Sequence, residues 1–186
     1  MAHDTVSPLA YDFFLESNPQ FGATPGQGNL YVCEIDTFLT FADLPVSGTN
    51  QGDLRKIITD HTFAAGKGFR SITLYRGDSQ TDGDAPGDPG FKSNKYQVKG
   101  FIVGVNAEVR EFCEFLKNKG VIVLQDAPDP ADSTLYQFGT QDCPCVVSGF
   151  KQTTGSRING GKKGYEITFE AMDWYDYQGT ITFQSE

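Results

Sequence analysis

One amphipathic helix stands in a chain that otherwise reads as strands. The segment Val105-Asn106-Ala107-Glu108-Val109-Arg110-Glu111-Phe112-Cys113-Glu114-Phe115-Leu116-Lys117-Asn118-Lys119-Gly120 carries start, stop and periodicity signals together. Asn106 is a capping residue, Glu108 suits the positive N-terminal end of a helix, and Lys117 and Lys119 suit its negative C-terminal end. Gly120 supplies the left-handed residue with which many helices finish. Val109, Phe112, Cys113 and Leu116 fall at i, i+3, i+4 and i+7, which gives one apolar stripe. The spacing predicts a helix over 106–119 whose Val109, Phe112 and Leu116 enter a core built of sheet.

The flanking sequence has strand periodicity. Leu30–Ile35 is a first strand, and 36–52 is broken by Pro45, Gly48, Asn50 and Gly52. Ile57, Ile58 and Phe63 give Leu54–Phe63 moderate strand character. Phe69–Tyr75 and Phe91–Val103 read as strands joined by a long polar tip, 76–90, an extended hairpin. Val121-Ile122-Val123-Leu124 is a continuous apolar run, as in a strand buried on both faces. Thr134–Phe138, Cys145–Phe150 and Gly179–Phe183 complete the set, with the cleanest alternation in Tyr165, Ile167, Phe169 and Ala171. The fold expected is mainly β: a sandwich or barrel with one flanking helix, a long hairpin loop and an N-terminal arm. Residues 1–28 form that arm, in which Leu9, Tyr11, Phe13 and Leu15 alternate before Pro19, Gly22, Pro25 and Gly26. Residues 29–186 form a single β domain, with 21 Gly for turns and 15 Phe and 8 Tyr for pleated surfaces and interfaces.

Charge and motifs narrow the function. A net charge of −9 opposes a grip on nucleic-acid backbone, which needs Lys and Arg. Ser156 to Lys163 imitates a phosphate loop, but its first and last positions are wrong and a strand follows where a helix N-terminus is required. Arg76-Gly77-Asp78 matches a cell-adhesion tripeptide, and its Gly-Asp is ordinary turn chemistry. Asp78, Asp82, Asp84 and Asp88 lack calcium-loop spacing and read as a solvated tip. The cysteines at 33, 113, 143 and 145, with only His3 and His61, do not make a zinc pattern, and reduced thiols are expected. No nucleophile elbow, HExxH or GxGxxG is present, so no catalytic residue, cofactor or metal is assigned. The N-terminus lacks a basic-then-apolar signal, and no apolar run reaches membrane length, so synthesis in a cytoplasm and no membrane partner are expected.

Two loops are complementary. The 76–90 tip carries four Asp against one Arg, and 151–163 carries Lys151, Arg157, Lys162 and Lys163 with no acid. Within one copy they are two solvated tips. Between stacked copies they are opposite charges that meet, a contact weak singly, additive in a symmetric assembly and sensitive to salt.

The helix running into Val121-Ile122-Val123-Leu124, together with Lys162-Lys163-Gly164-Tyr165-Glu166-Ile167-Thr168-Phe169, is similar to structural proteins of tailed bacteriophages. From Leu30 to Phe183 the order of elements most resembles the tail tube (major tail) family and its relatives in contractile injection machines. The resemblance implies hexameric rings that stack into a hollow tube in the virion tail, assembled in the host cytoplasm. It implies as partners further copies of the chain, tape measure and terminator proteins, and double-stranded DNA as transient cargo. Interface candidates are Tyr11, Phe13 and Phe14 in the arm, Asp78, Asp82, Asp84 and Asp88 in the tip, and Arg157, Lys162 and Lys163 in the basic loop. The arm departs from a minimal tube protein, which keeps a head–tail connector, a tail terminator or a capsid-associated protein open. A small ligand-binding or hydrolytic β-domain is the rival of another class.

Overall fold

The computed structural model describes residues 29–50, 52–75, 80–126, 135–154 and 163–185. Twelve strands and one α-helix follow in the order β1 (Asn29–Glu34), β2 (Phe38–Thr40), β3 (Lys56–Ile57), β4 (Thr62–Phe63), β5 (Arg70–Thr73), β6 (Gln80–Asp84), β7 (Lys95–Val103), α1 (Ala107–Leu116), β8 (Val121–Asp126), β9 (Leu135–Phe138), β10 (Val146–Thr153), β11 (Gly164–Ala171) and β12 (Trp174–Tyr177). They pair as a six-stranded sheet, β3-β12-β9-β8-β1-β5, a four-stranded sheet, β10-β11-β7-β6, and a two-stranded ribbon, β2-β4. The described strands close no barrel; the sandwich alternative holds.

Alternation in β8 explains the layering. Val121 and Val123 enter one core with Leu30, Val32, Val98, Ile102, Ile167 and Phe169, between the two large sheets. Ile122 and Leu124 enter a second core with Cys33, Ile57, Phe69 and Tyr177, against which Phe38, Phe41 and Phe63 of the ribbon region pack. A central strand with apolar layers on both sides must be apolar at successive positions, which is what the run Val121–Leu124 displays.

The helix closes the first core. The Asn106 side chain accepts a hydrogen bond from the Val109 N–H at 3.0 Å, satisfying one otherwise orphaned donor. Cys113 and Leu116 are buried, and Val109 and Phe112 are partly buried against the same core. Lys117 pairs with Glu114 at 2.7 Å, and Lys119 with Glu34 at 3.1 Å. The ending differs from expectation. Gly120 is not among the described glycines with positive φ. The last turn closes with Lys119 N–H donating to Leu116 O at 3.2 Å. Gly120 is needed instead for close packing, since a Cβ there would lie 2.8 Å from Pro144 Cγ.

Three further expectations are corrected. Phe69–Tyr75 and Phe91–Val103 are not a hairpin: β5 pairs with β1 in one sheet, whereas β7 pairs with β6 and β11 in the other. Part of the supposed tip is strand β6, and the true hairpin turn is 85–94. Leu54–Phe63 divides into β3 and β4, which belong to different sheets. Gly179–Phe183 is not a strand; Phe183 makes a single bridge to Phe69, and the closing strand is β12 with its large aromatic residues.

Candidate assembly surface

The four-stranded sheet is antiparallel throughout, and its register sorts side chains cleanly between two faces. Val98, Ile102, Tyr165, Ile167, Phe169 and Ala171 point into the first core. The opposite face carries the intervening residues. One row reads Asp82, Gln97, Glu170, Val146; the next reads Gln80, Lys99, Thr168, Gly149; a third reads Phe101, Glu166, Lys151. This face is polar and its charges are tied across strands. Lys99 Nζ lies 2.8 Å from Asp82 Oδ2, and Lys95 Nζ lies 2.9 Å from Glu170 Oε2. Hydrogen bonds from Lys99 and then Gln80 hold the Asp82 carboxyl below the usual carboxylate range.

β6 and β10 are the edge strands of this sheet among the described residues. Among the described residues β6 has β7 as its one strand neighbour, and β10 has β11. Edge strands with unpaired backbone donors and acceptors are templates for another strand. β6 is anchored to the rest of the fold. Thr81 Oγ1 donates to Gln125 Oε1 on β8 at 2.9 Å, bridging the two sheets across the core. Gly83 faces the Tyr96 ring, where a Cβ would approach to 3.0 Å.

The ends of the sheet differ in charge: Asp84, Asp88 and Glu170 stand with Lys92 and Lys95 at one, and Lys163 stands at the other. The β6–β7 turn leaves from the Lys95 end of β7, beside Asp84 and Asp88. The β10–β11 connection leaves from the other end, because Gly164 pairs with Val103 and with Thr153. Lys163 stands there, exposed, with its carbonyl accepting from the Gly104 N–H at 3.0 Å. Eight residue steps along β7 separate the two ends by about 27 Å.

Two solved chains resemble this one in outline. A chain from the virion of a native gene transfer agent particle is 16% identical, with a TM-score of 0.38, over 58% of this chain and 88% of that one. A chain from the tail of an empty gene transfer agent particle with C6 symmetry is also 16% identical, with a TM-score of 0.39, over 66% of this chain and 91% of that one. No family model matches the sequence, and no curated protein does.

Of the expected interface residues, Tyr11, Phe13, Phe14, Asp78, Arg157 and Lys162 lie outside the described residues. Asp82 and Asp84 belong to β6, not to a loop. Asp82 is engaged by Lys99 within the same copy, which removes it from the set of unpaired tip charges. Asp84 accepts from the Ala85 N–H at 2.7 Å, and the Asp88 carbonyl accepts from the Phe91 N–H at 2.9 Å to close the turn. Lys151 likewise sits in β10, opposite Glu166. The sheet thus puts Asp84 and Asp88 at one end and Lys163 at the other, and does not bring them together within one copy.

The remaining chemistry is quiet among the described residues. The four cysteines are free. Burial pushes the Cys113 thiol up to about 11 and raises those of Cys33 and Cys145, so these three stay protonated at neutral pH. An open cleft of about 420 Å³ beside the helix is lined by Arg70, Glu108, Glu111, Phe112 and Phe115. No described helix is long and apolar enough to cross a membrane.

His61 is the residue that local sequence hid. Its neighbours Asp60 and Thr62 make it look solvated, yet it is 2% exposed. Its ring stacks on Tyr177, with centroids 4.9 Å apart and planes at 9°, and meets Phe38 and Phe41 at 5.1 and 4.6 Å. All three partners are distant from His61 in sequence, so only the assembled tertiary structure reveals the burial.

Proposed function

We propose that this chain is a virion structural protein, a subunit of a tail tube, and that it acts by assembly without catalysis. The observation that carries this is the four-stranded sheet: all antiparallel, even in strand number and with β6 and β10 at its edges among the described residues. β10 and β6 therefore run in opposite directions. A neighbouring copy related by rotation places its β10 antiparallel to β6, so the alternation continues without a break around a ring. Such head-to-tail edges close when the rotation closes, and a closed ring leaves no edge exposed.

Charge at the two ends supplies the stacking. The Asp84 and Asp88 end of one ring meets the Lys163 end of the next, and Arg157 and Lys162 of the same connection add to it. The polar sheet face, with Glu166, Glu170 and Asp82 set among lysines, lines the lumen and offers passing DNA no net positive grip. Residues 1–28 are the arm, with Tyr11, Phe13 and Phe14 contacting a neighbouring copy, and 29–186 are the tube domain. Tape measure and terminator proteins are the further partners, and the tail is the location.

Negative-stain microscopy of the purified protein at low salt tests the reading. Filaments of uniform width are expected. Single rings that never stack would mark a connector or terminator instead, and a monomer at every concentration would overturn assembly altogether.

A further inference from the structure

The second core contains a histidine with both ring nitrogens committed. His61 Nδ1 accepts from the Ala42 N–H at 3.0 Å, and Nε2 lies 2.8 Å from Gln137 Oε1. Gln137 Nε2 donates to Gly139 O at 3.2 Å, which leaves Oε1 as the acceptor and assigns the ring proton to Nε2. The His61 N–H donates to Tyr177 Oη at 3.3 Å, and that hydroxyl donates to Thr180 O at 3.2 Å. One neutral ring therefore joins the 38–42 segment, β9 and β12.

We propose that His61, anchored to the six-stranded sheet through Gln137 and Tyr177, is an acid-released latch that holds the 38–42 segment through its Nδ1. A proton added at Nδ1 would face the Ala42 N–H, donor against donor. The cation would also be cut off from water, since the ring is buried among Phe38, Phe41, Phe63 and Phe69. The other groups facing the ring do not rescue it. β9 presents the neutral Gln137, the 38–42 segment a backbone amide, and β12 the Tyr177 hydroxyl. The one carboxylate nearby, Asp60, is engaged by the Thr180 N–H at 2.7 Å.

The sign follows from the site. Burial is the largest influence on the ring and lowers its pKa, against smaller opposing effects of Gln137 and Asp60. An opened region binds the proton more readily than the latched one. The latch is at full strength above about pH 6.5, weakens as pH falls below it, and stops weakening below the lowered pKa of the closed form. Opening uncovers Phe38, Phe41 and Phe63 and leaves the first core in place.

Hydrogen exchange of the full chain between pH 7.5 and 4.5, corrected for intrinsic rates, reads this directly. Protection across 38–42 is expected to fall at least tenfold, while β7 and β11 keep theirs. His61→Asn, whose side-chain oxygen can occupy the Nδ1 position without titrating, is expected to remove that selective loss. The ring nitrogen shifts of the native protein supply a second readout that needs no variant. They should show the Nε2–H form at neutral pH and a titration below 6.5 that tracks the exchange. A ring that titrates at or above its ordinary value, an unchanged 38–42 segment after protonation, or equal loss of protection everywhere would overturn the proposal.

Discussion

Single side chains here act through geometry that can be tested one at a time. Asn106 satisfies a helix donor that nothing else in its first turn reaches, so Asn106→Ala is expected to cost about 1 kcal/mol. In a chain of this size that lowers Tm by about 2–4 °C, measurable by thermal unfolding. Gly100 has no room for a methyl: a Cβ would lie 2.6 Å from Leu74 Cδ2. Gly100→Ala should destabilise by about 1–3 kcal/mol through overpacking, read from the denaturant midpoint. Tyr165 points the other way. Its hydroxyl is buried and lacks a hydrogen-bond partner among the described residues, while its ring stacks on Phe150 at 5.2 Å. Tyr165→Phe keeps the ring and removes the orphan, so stability should hold or rise by up to about 1 kcal/mol.

Elements differ in how much of themselves they write into sequence. The helix was legible because its apolar stripe and its cap are both local. β8 and β11 were legible for a similar reason: one is apolar at every early position, and the other alternates. β6 was illegible because an edge strand needs few apolar residues. Its inward positions, Thr81 and Gly83, are met by Gln125 and Tyr96 from other elements. The tail after β12 misled for the converse reason. Ile181 and Phe183 look strand-like, yet the segment makes one bridge, to Phe69 just before β5, with Phe69 N–H donating to Thr182 O at 2.8 Å and Gln184 N–H donating to Phe69 O at 3.1 Å, and Arg70 Nε donates to Gln184 Oε1 at 2.9 Å. The arrangement makes β8 the element on which both cores depend. Leu124→Ala, in a fully buried position of the second core, should cost about 2–5 kcal/mol. Equilibrium unfolding should show that loss, whereas an alanine at exposed Leu39 should change little.

At the scale of the whole molecule the interface residues expected from sequence were only partly separable from internal contacts. Counting charges in a loop cannot tell that Asp82 is spent on Lys99, because the pairing depends on a β6–β7 register that polar sequence does not announce. A difference in charge between the two ends of one sheet is a property of topology, and it makes a prediction about assemblies. Reversing Asp84 and Asp88 to Lys should abolish stacking at low salt. Reversing Lys162 and Lys163 to Asp in the same chain should restore it, as judged by filament length in micrographs. Added salt should shorten native filaments.

The central claim is that adjacent copies join through β6 and β10. Backbone hydrogen exchange of assembled against dispersed protein tests it most directly. The account predicts that amides of 80–84 and 146–153 gain protection together on assembly, while those of β7 and β11, already paired on both sides, change little. Assemblies in which both edge strands exchange as fast as in the dispersed chain would contradict it.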